Sequence, residues 1–457
     1  MPRALWVLLP AAALLRAWAC LATEVPGRDG VTYLWMAQQL ARGDVQGFLS
    51  TVFHPLYPAL VAPLLAWFPS LDPVAAGQLV AAGCGTLALV PLAAMAGALH
   101  GPRIAAWTAA LYACGTWYCR HPAECMSEGP FYLATATWAW ALLACRRQAA
   151  GAALAGAMGA CAWLARPEGA ALVVLGAAWL GVRGRRADAA RLVVVALPLC
   201  ALLPASLALA GHGFVLTPKA AFVYAEGVGG AMQPHWHWLV ELAQVPLALG
   251  ESMGFVAFPL FLAGAWLVRP RALRDPAALL LAPLLVQCLV APGLFAHHRF
   301  FTAQCMLLLP FAAVALVRLL AAPRLRLLAG LVLAALVTSE VRVLVPRNTG
   351  RSVERELGEH LAAQLRPGDQ VATDMPRLAF FAGRKPPPPR AFTAEDLEAA
   401  LADPRCTHLA LVRGRGGIDV DPVSLAGRGF EPMILPSGLA AAAEARGVLV
   451  FSRTTPR

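Results

Sequence analysis

Charge is what this 457-residue chain has least of: 14% of its residues are charged against 59% hydrophobic, and Asp and Glu together number only 26. A soluble globule of this size needs more polar surface than that to cover itself, so the composition excludes a water-soluble protein and indicates an integral membrane one. The chain has no nucleotide-binding glycine pattern and no internal repeat beyond an Ala-Leu bias in its apolar runs. None of its 11 cysteines stands at metal-ligand spacing. Eight of them, from Cys20 to Cys305, lie in or at the ends of apolar segments, where Cys acts as a small hydrophobe, and Cys406 stands alone near the C-terminus. Cys119 and Cys125 flank a polar loop and read either as a disulfide in an oxidising compartment or as two free thiols. The net charge of +11 does not indicate nucleic acid, because the basic residues sit in short clusters between apolar runs and act as topology determinants.

A membrane-spanning helix takes roughly 20 apolar residues. Windows of that kind run near Ala4 to Ala22, Val74 to Leu99, Ile104 to Cys119, Pro130 to Cys145, Ala149 to Ala165, Pro167 to Val182, Leu192 to Ala210, Gly254 to Val268, Ala277 to Phe295, Phe301 to Val317 and Leu327 to Val345. The expectation is a polytopic α-helical membrane protein of about 11 transmembrane helices. Arg16 interrupts the first run and no clean cleavage site follows, so that run reads as an anchor and not as a signal peptide. Pro55 to Phe68, with three prolines, is short for a span and reads as a helix lying in the interface.

Positive charge then sets the sides. If the N-terminus is inside and Pro55 to Phe68 does not cross, the clusters Arg146-Arg147, Arg183 to Arg191, Arg269 to Arg274 and Arg318 to Arg326 all fall on the cytoplasmic side. Asp29, the loop Arg120 to Gly129, Arg166 to Gly169, the long loop Gly211 to Met253, His297 to Arg299 and the C-terminal tail then share the extracytoplasmic face of the plasma (inner) membrane. Residues 1–346 form the membrane domain under this division. Residues 347–457 are mixed polar and apolar and read as a small soluble extracytoplasmic α/β domain, with helices at Ser352 to Leu365 and Ala394 to Ala402 and strands at Gln370 to Thr373, His408 to Val412 and Gly447 to Phe451. Its acids lack catalytic spacing, which makes the tail an accessory concerned with acceptor selection.

The external acids are the candidates for chemistry. Asp29 precedes Val31, Leu34, Trp35 and Leu40, one face of a helix lying along the membrane, and reads either as a catalytic acid-base group or as an N-terminal cap. His121, Glu124 and Glu128 stand at i, i+3 and i+7, so a continuous helix would present them together to a divalent cation such as Mg or Mn, or to a sugar. The plainer alternative pairs Glu124 with Arg120 and leaves Glu128 capping the next span. Arg28, Arg120, Arg166 and Arg299 come out on the external rim against the general charge bias, where they suit a phosphate or anchor in headgroups. His298, beside Arg299, is a further candidate for the same anion. His235, Trp236, His237 and Trp238 could stack on sugar rings or belong to an interfacial aromatic belt.

The order of these features resembles the GT-C glycosyltransferases, in particular the bacterial branch related to protein O-mannosyltransferases and aminoarabinose transferase. The resemblance rests on Asp29 with Tyr33 and Ala37 after the first span, His54-Pro-Leu-Tyr57-Pro before the second, Arg120 through Glu128-Gly-Pro130, Arg166-Pro-Glu168-Gly, and His298-Arg299-Phe300. It covers essentially the whole chain. Where many members carry Asp-Glu at the first motif, this chain has Asp29-Gly30. The resemblance implies transfer of a sugar from a polyprenyl-phosphate carrier to a glycan, lipid or protein acceptor, with inversion. Asp29 would be the general base, Glu128 would orient the donor or hold a metal, and Arg28, Tyr33, His54, Tyr57, Arg120, Glu124, Arg166, His298 and Arg299 would bind substrate. Two other classes share the polytopic, basic character. A lipid-linked saccharide flippase or transporter should show ionisable residues near the midplane and paired broken helices, and a polysaccharide polymerase or ligase should show an external loop rich in Arg and His.

Overall fold

The computed structural model describes residues 3–143, 148–211, 213–216, 218–219, 234–269, 272–293, 296–388, 392–413 and 421–454, and no side chains are described for 234–237. The Arg146-Arg147 cluster and the side chains of His235, Trp236 and His237 therefore lie outside the described residues.

The described residues before 347 are mostly helical: α1 (Leu5–Leu21), α2 (Arg28–Ala41), α3 (Val45–Leu49), α4 (Leu56–Trp67), α5 (Pro73–Leu87), α6 (Leu89–His100), α7 (Pro102–Cys114), α8 (Thr116–Ala123), α9 (Glu128–Leu143), α10 (Ala149–Ala165), α11 (Ala170–Val182), α12 (Arg186–Leu209), α13 (Pro234–Met253), α14 (Ala257–Val268), α15 (Pro276–Val290), α16 (Thr302–Ala321) and α17 (Arg326–Glu340). Helices occupy every window read as a span, but many are short. Among the described residues five helical stretches are long and apolar enough to cross a membrane, or up to six if the bent pair of α13 and α14 counts as one. The stretch 211–253, read from the sequence as one long loop, ends instead in the 20 residues of α13, bent 101° against α14. Polar His235 and His237 at its start had masked the apolar run that follows.

Sequence chemistry marks the helix ends. Asp72 caps α5 by accepting from the Val74 amide at 3.3 Å, with Pro73 in the first turn, where its missing N–H costs nothing. Close packing of the bundle depends on small residues: a Cβ at Gly129 would lie 2.2 Å from the Ala81 carbonyl oxygen, so only glycine lets α9 approach α5 here. α16 is buried along most of its length and forms the centre of the bundle with Trp138, Tyr112, Tyr132 and Phe301.

Beyond the bundle, α18 (Ser352–Ala362), α19 (Pro376–Phe381), α20 (Ala394–Ala402), α21 (Pro422–Ala426) and α22 (Ser437–Ala445) pack on a four-stranded sheet of β1 (Gln370–Thr373), β2 (Cys406–Val412), β3 (Phe430–Pro432) and β4 (Val448–Arg453). The order is β1-β2-β4-β3, with β1 parallel to β2 and the other pairs antiparallel. Thr393 and Asp396 form a capping box at α20. This α/β unit sits against the end of the bundle that carries α2: Phe380 of α19 joins the core of Val31, Tyr33 and Leu34, and Lys385 donates to the Ser50 carbonyl at 3.1 Å.

Candidate active site

Asp29 occupies the first turn of α2. The residue at the cap position is Gly27, no side chain caps this helix, and the Asp29 carboxylate instead faces two cations. Its Oδ2 accepts from Lys219 Nζ at 3.1 Å and from Arg299 Nη1 at 3.3 Å. Arg299 continues through Nε to Glu128 Oε1 at 3.0 Å, and Glu128 Oε1 also takes Arg166 Nη1 at 2.5 Å. Arg166 then closes on Glu168 through two bonds of 2.9 and 3.3 Å. Three cations and three carboxylates thus alternate in one connected row that ends in Lys219 at one side and Glu168 at the other.

Local folding explains each position. Arg299 lies in a one-turn 3-10 helix, His298–Phe300, whose His298 carbonyl is held by Ser252 Oγ at 2.8 Å and Thr302 Oγ1 at 3.0 Å. Arg166 and Glu168 flank Pro167 at the break between α10 and α11, where proline starts a short 3-10 turn, Pro167–Gly169. Glu128 opens α9. Gly30 explains the departure at the first motif: a Cβ there would stand 2.3 Å from the Glu124 carbonyl oxygen, so the close approach of α2 to the turn after α8 leaves no room for a second acid.

The electrostatics follow from this row. Burial works to raise the Asp29 pKa, but Lys219 and then Arg299 outweigh it and bring it down to about 2. Glu128 is also held well below the usual carboxylate range by Arg299 and Arg166 against the opposing effect of burial. Glu128 Oε2 is buried with no hydrogen-bond partner among the described residues. His298 is kept neutral, its pKa lowered to about 2 by burial with His297, His121 and Arg299 adding, so its 3.4 Å contact with Glu251 is not an ion pair at neutral pH.

A cavity of about 300 Å³ adjoins the row. Arg166, Glu168 and Lys219 stand on its polar side with Tyr33 and His54, and Ala170, Ala171, Val286 and Val290 of α11 and α15 form an apolar wall. Tyr33 shares a hydrogen bond with Ser127 at 3.1 Å, and Lys219 sits over the Phe53 ring, 4.1 Å from its centroid. His54 Nδ1 donates to the Trp163 carbonyl at 2.7 Å, and burial lowers its pKa to about 4, so Nε2 remains an acceptor.

The other residues singled out from sequence have different surroundings. Tyr57 is wholly buried and spends its hydroxyl on the Gly77 carbonyl at 2.9 Å, tying α4 to α5. Arg120 donates to the Arg342 carbonyl. Glu124 pairs with Arg347 at 2.9 Å, not with Arg120. Arg28 is the half-buried first residue of α2. His298 stacks on Trp117 at 4.0 Å.

The metal trio is corrected outright. The helix expected to align His121, Glu124 and Glu128 is broken between Ala123 and Glu128, where Cys125 takes φ +58°. His121 binds the Tyr132 hydroxyl at 2.8 Å, Glu124 turns to Arg347, and Glu128 holds two guanidiniums. Two arginines against its only engaged oxygen oppose a divalent cation, and among the described residues no group of three or more His, Cys, Asp or Glu could hold a metal ion. Cys119 and Cys125 are separate buried thiols, not a disulfide.

Lys219 and Ser127 are the residues that sequence reasoning missed. One signal was present: Lys219 is one of only two lysines in a chain with 37 basic residues.

No protein-family model matches the chain. No curated protein matches it in sequence either. In three dimensions it is similar to ArnT from Cupriavidus metallidurans bound to undecaprenyl phosphate, over 99% of both chains, with a TM-score of 0.66 and 15% identity. It is also similar to the archaeal oligosaccharyltransferase AglB from Archaeoglobus fulgidus in complex with an inhibitory peptide and a dolichol-phosphate, over 89% of this chain and 69% of that one, with a TM-score of 0.58 and 14% identity. The Archaeoglobus fulgidus oligosaccharyltransferase in complex with Zn and sulfate aligns over 96% and 70% of the two chains, with a TM-score of 0.57 and 14% identity. The chain thus shares the fold of ArnT and AglB, as the order of its motifs led one to expect.

Proposed function

We propose that the protein is a glycosyltransferase that moves a sugar from a polyprenyl-phosphate carrier to an acceptor hydroxyl on the extracytoplasmic face of the plasma membrane, with inversion at the anomeric carbon and Asp29 as general base. The observation that carries this reading is the alternating row of charges set beside a cavity with one apolar wall: the cations suit the phosphate and the wall suits the isoprenoid. ArnT bound to undecaprenyl phosphate and AglB bound to a dolichol-phosphate are neighbours of the same fold, which supports a ligand of this class.

Without substrate, Lys219 and Arg299 are engaged by Asp29, which leaves that carboxylate ionised but a weak base. A donor phosphate competes for the same two cations. As they turn to it, the influence that lowers the Asp29 pKa is withdrawn, and the carboxylate gains basicity when the acceptor arrives. Asp29 then takes the hydroxyl proton while the acceptor oxygen bonds to the anomeric carbon and the bond from that carbon to the phosphate oxygen breaks. Negative charge grows on the leaving phosphate, where Arg299 and Lys219 stabilise it. A single displacement inverts the anomeric centre. Glu128 and Glu168 hold Arg299 and Arg166 in place. No step is routed through a metal.

A lipid flippase is the competing class. Among the described residues one bent helix pair occurs, where a transporter of the inverted-repeat kind has two. The buried Arg16 packs over Tyr112 inside the bundle. Purified protein in vesicles with a radiolabelled polyprenyl-phosphate sugar separates the two: label should move to an acceptor and the movement should require Asp29. Transbilayer movement of donor without transfer would overturn the proposal.

A further inference from the structure

The segment from Thr23 to Gly27 joins α1 to the turn that carries Asp29, and it contains no helix or strand of its own. Its backbone is nevertheless held along its whole length. The Arg347 amide donates to the Ala22 carbonyl at 3.2 Å, the Glu24 amide to the Arg347 carbonyl at 3.4 Å, Asn348 Nδ2 to the Val25 carbonyl at 2.8 Å, and the Gly27 amide to the Glu124 carbonyl at 3.0 Å. The fifth hold is Arg377, which donates through Nε to the Pro26 carbonyl at 2.6 Å. Four of these five holds come from residues 347–377, outside the helical bundle.

Arg377 is the most costly of them. It is only 5% exposed, lies in the first turn of α19, and has Glu354 of α18 on its Nη1 at 3.3 Å. Burying a guanidinium against one carbonyl and one carboxylate is a poor way to gain net stability, yet it fixes the backbone three residues before Asp29. The helix needs such a fixture, since a start at Gly27 with no side-chain cap is where a helix frays. Asp29 must also keep its place while Lys219 and Arg299 leave it for another anion. A carboxylate carried on a loose turn would follow its cations.

We propose that Arg377 is a positioning residue for Asp29, so that the C-terminal α/β unit completes the catalytic geometry and is not an accessory to it. This rests on the reading of Asp29 as the base. On this view deletion of residues 347–457 leaves the bundle inserted but abolishes transfer, in contrast to the accessory role that the tail's lack of catalytic spacing suggested.

The test uses the full chain, with Arg377→Met to keep the apolar stem and remove both donors, Arg377→Lys, Asp29→Asn and the double variant. Donor affinity is read by direct binding of polyprenyl phosphate. Arg377→Met should lower kcat by about 10- to 100-fold, the scale of a small misplacement of a reacting group. Donor KM and polyprenyl-phosphate binding should stay within about two-fold, and Arg377→Lys should recover part of the loss. In the Asp29→Asn background the same change should cost less than about two-fold more, because its effect acts through Asp29. A rise in donor KM at unchanged kcat, or the full loss repeated on top of Asp29→Asn, would overturn the positioning role. If Asp29→Asn itself costs nothing, the base assignment fails instead. Should Arg377→Met not insert, Asn348→Gly keeps the left-handed backbone at φ +57° and removes the neighbouring hold on Val25; it should lower kcat in the same way, and unchanged kcat there overturns the proposal.

Discussion

Replacing Asp29 with Asn is the most discriminating perturbation, because charge and basicity give opposite signs on two measurable quantities. In the wild-type site three cations, Lys219, Arg299 and Arg166, face three carboxylates, Asp29, Glu128 and Glu168, so the row is neutral before a donor arrives. The substitution removes one negative charge and leaves the row at +1. The phosphate of the donor then meets cations that no longer have to leave Asp29, and polyprenyl-phosphate binding should be unchanged or tighter. The proton acceptor, by contrast, is gone. A positioned general base contributes about 10²- to 10⁴-fold in rate, equivalent to about 2.7–5.4 kcal/mol of barrier, and kcat should fall by that order. The amide oxygen of the variant can still accept hydrogen bonds from Lys219 and Arg299, and the latter keeps Glu128, so insertion and thermal stability should be nearly those of the wild type. The assay pairs single-turnover transfer from a radiolabelled donor with equilibrium binding of polyprenyl phosphate. Near-wild-type transfer refutes Asp29 as the base. Equal loss of binding and transfer refutes the charge argument, since it would mean that Asp29 itself contacts the donor.

The remaining predictions follow from the same row. Arg299→Lys keeps the charge but cannot span Asp29 and Glu128 from two guanidinium nitrogens, so donor affinity should drop well below wild type; unchanged binding in Arg299→Ala would remove it from the phosphate site. Lys219→Met removes the strongest influence lowering the Asp29 pKa. A depressed carboxylate stays charged above its folded pKa, so wild-type kcat/KM should show no acid limb from Asp29 above about pH 4, while the variant's limb should move upward in pH; an unmoved limb would separate the two residues. Glu128→Gln leaves Arg166 and Arg299 without their shared anion, and lowered donor binding together with lowered rate is expected in the same binding and transfer assays. Cysteine labels at Gly184 and Ala272 should react from the cytoplasmic side and one at Gly350 from the opposite side; reaction of Gly350 from the cytoplasm would reverse the assigned face.

Much of the site was legible from residue types alone. Asp29, Glu128, Arg166 and Arg299 stand out because charge near apolar runs is scarce and costly, and all four meet in one row. The Arg166-Pro-Glu168 turn was visible as a motif, though not as the bidentate pair that ends the row. Helix periodicity misled at His121, Glu124 and Glu128, since spacing assumes continuity and the turn at Cys125 breaks it. Lys219 was marked only by the rarity of lysine, and no motif ties it to the carboxylate it holds 190 residues away.

The sequence by itself determined that the chain is a membrane protein of many apolar helices with a mixed C-terminal unit. Hydropathy and period depend only on neighbours along the chain, so those features need no fold to be read. Only the tertiary structure decided which charges pair, that Gly30 is dictated by the Glu124 carbonyl, that Tyr57 ties α4 to α5 and does not line the cavity, and that Arg377 reaches back to Pro26. Each of those is a contact between distant segments, fixed by how close two backbones come, and no spacing within one segment encodes that distance.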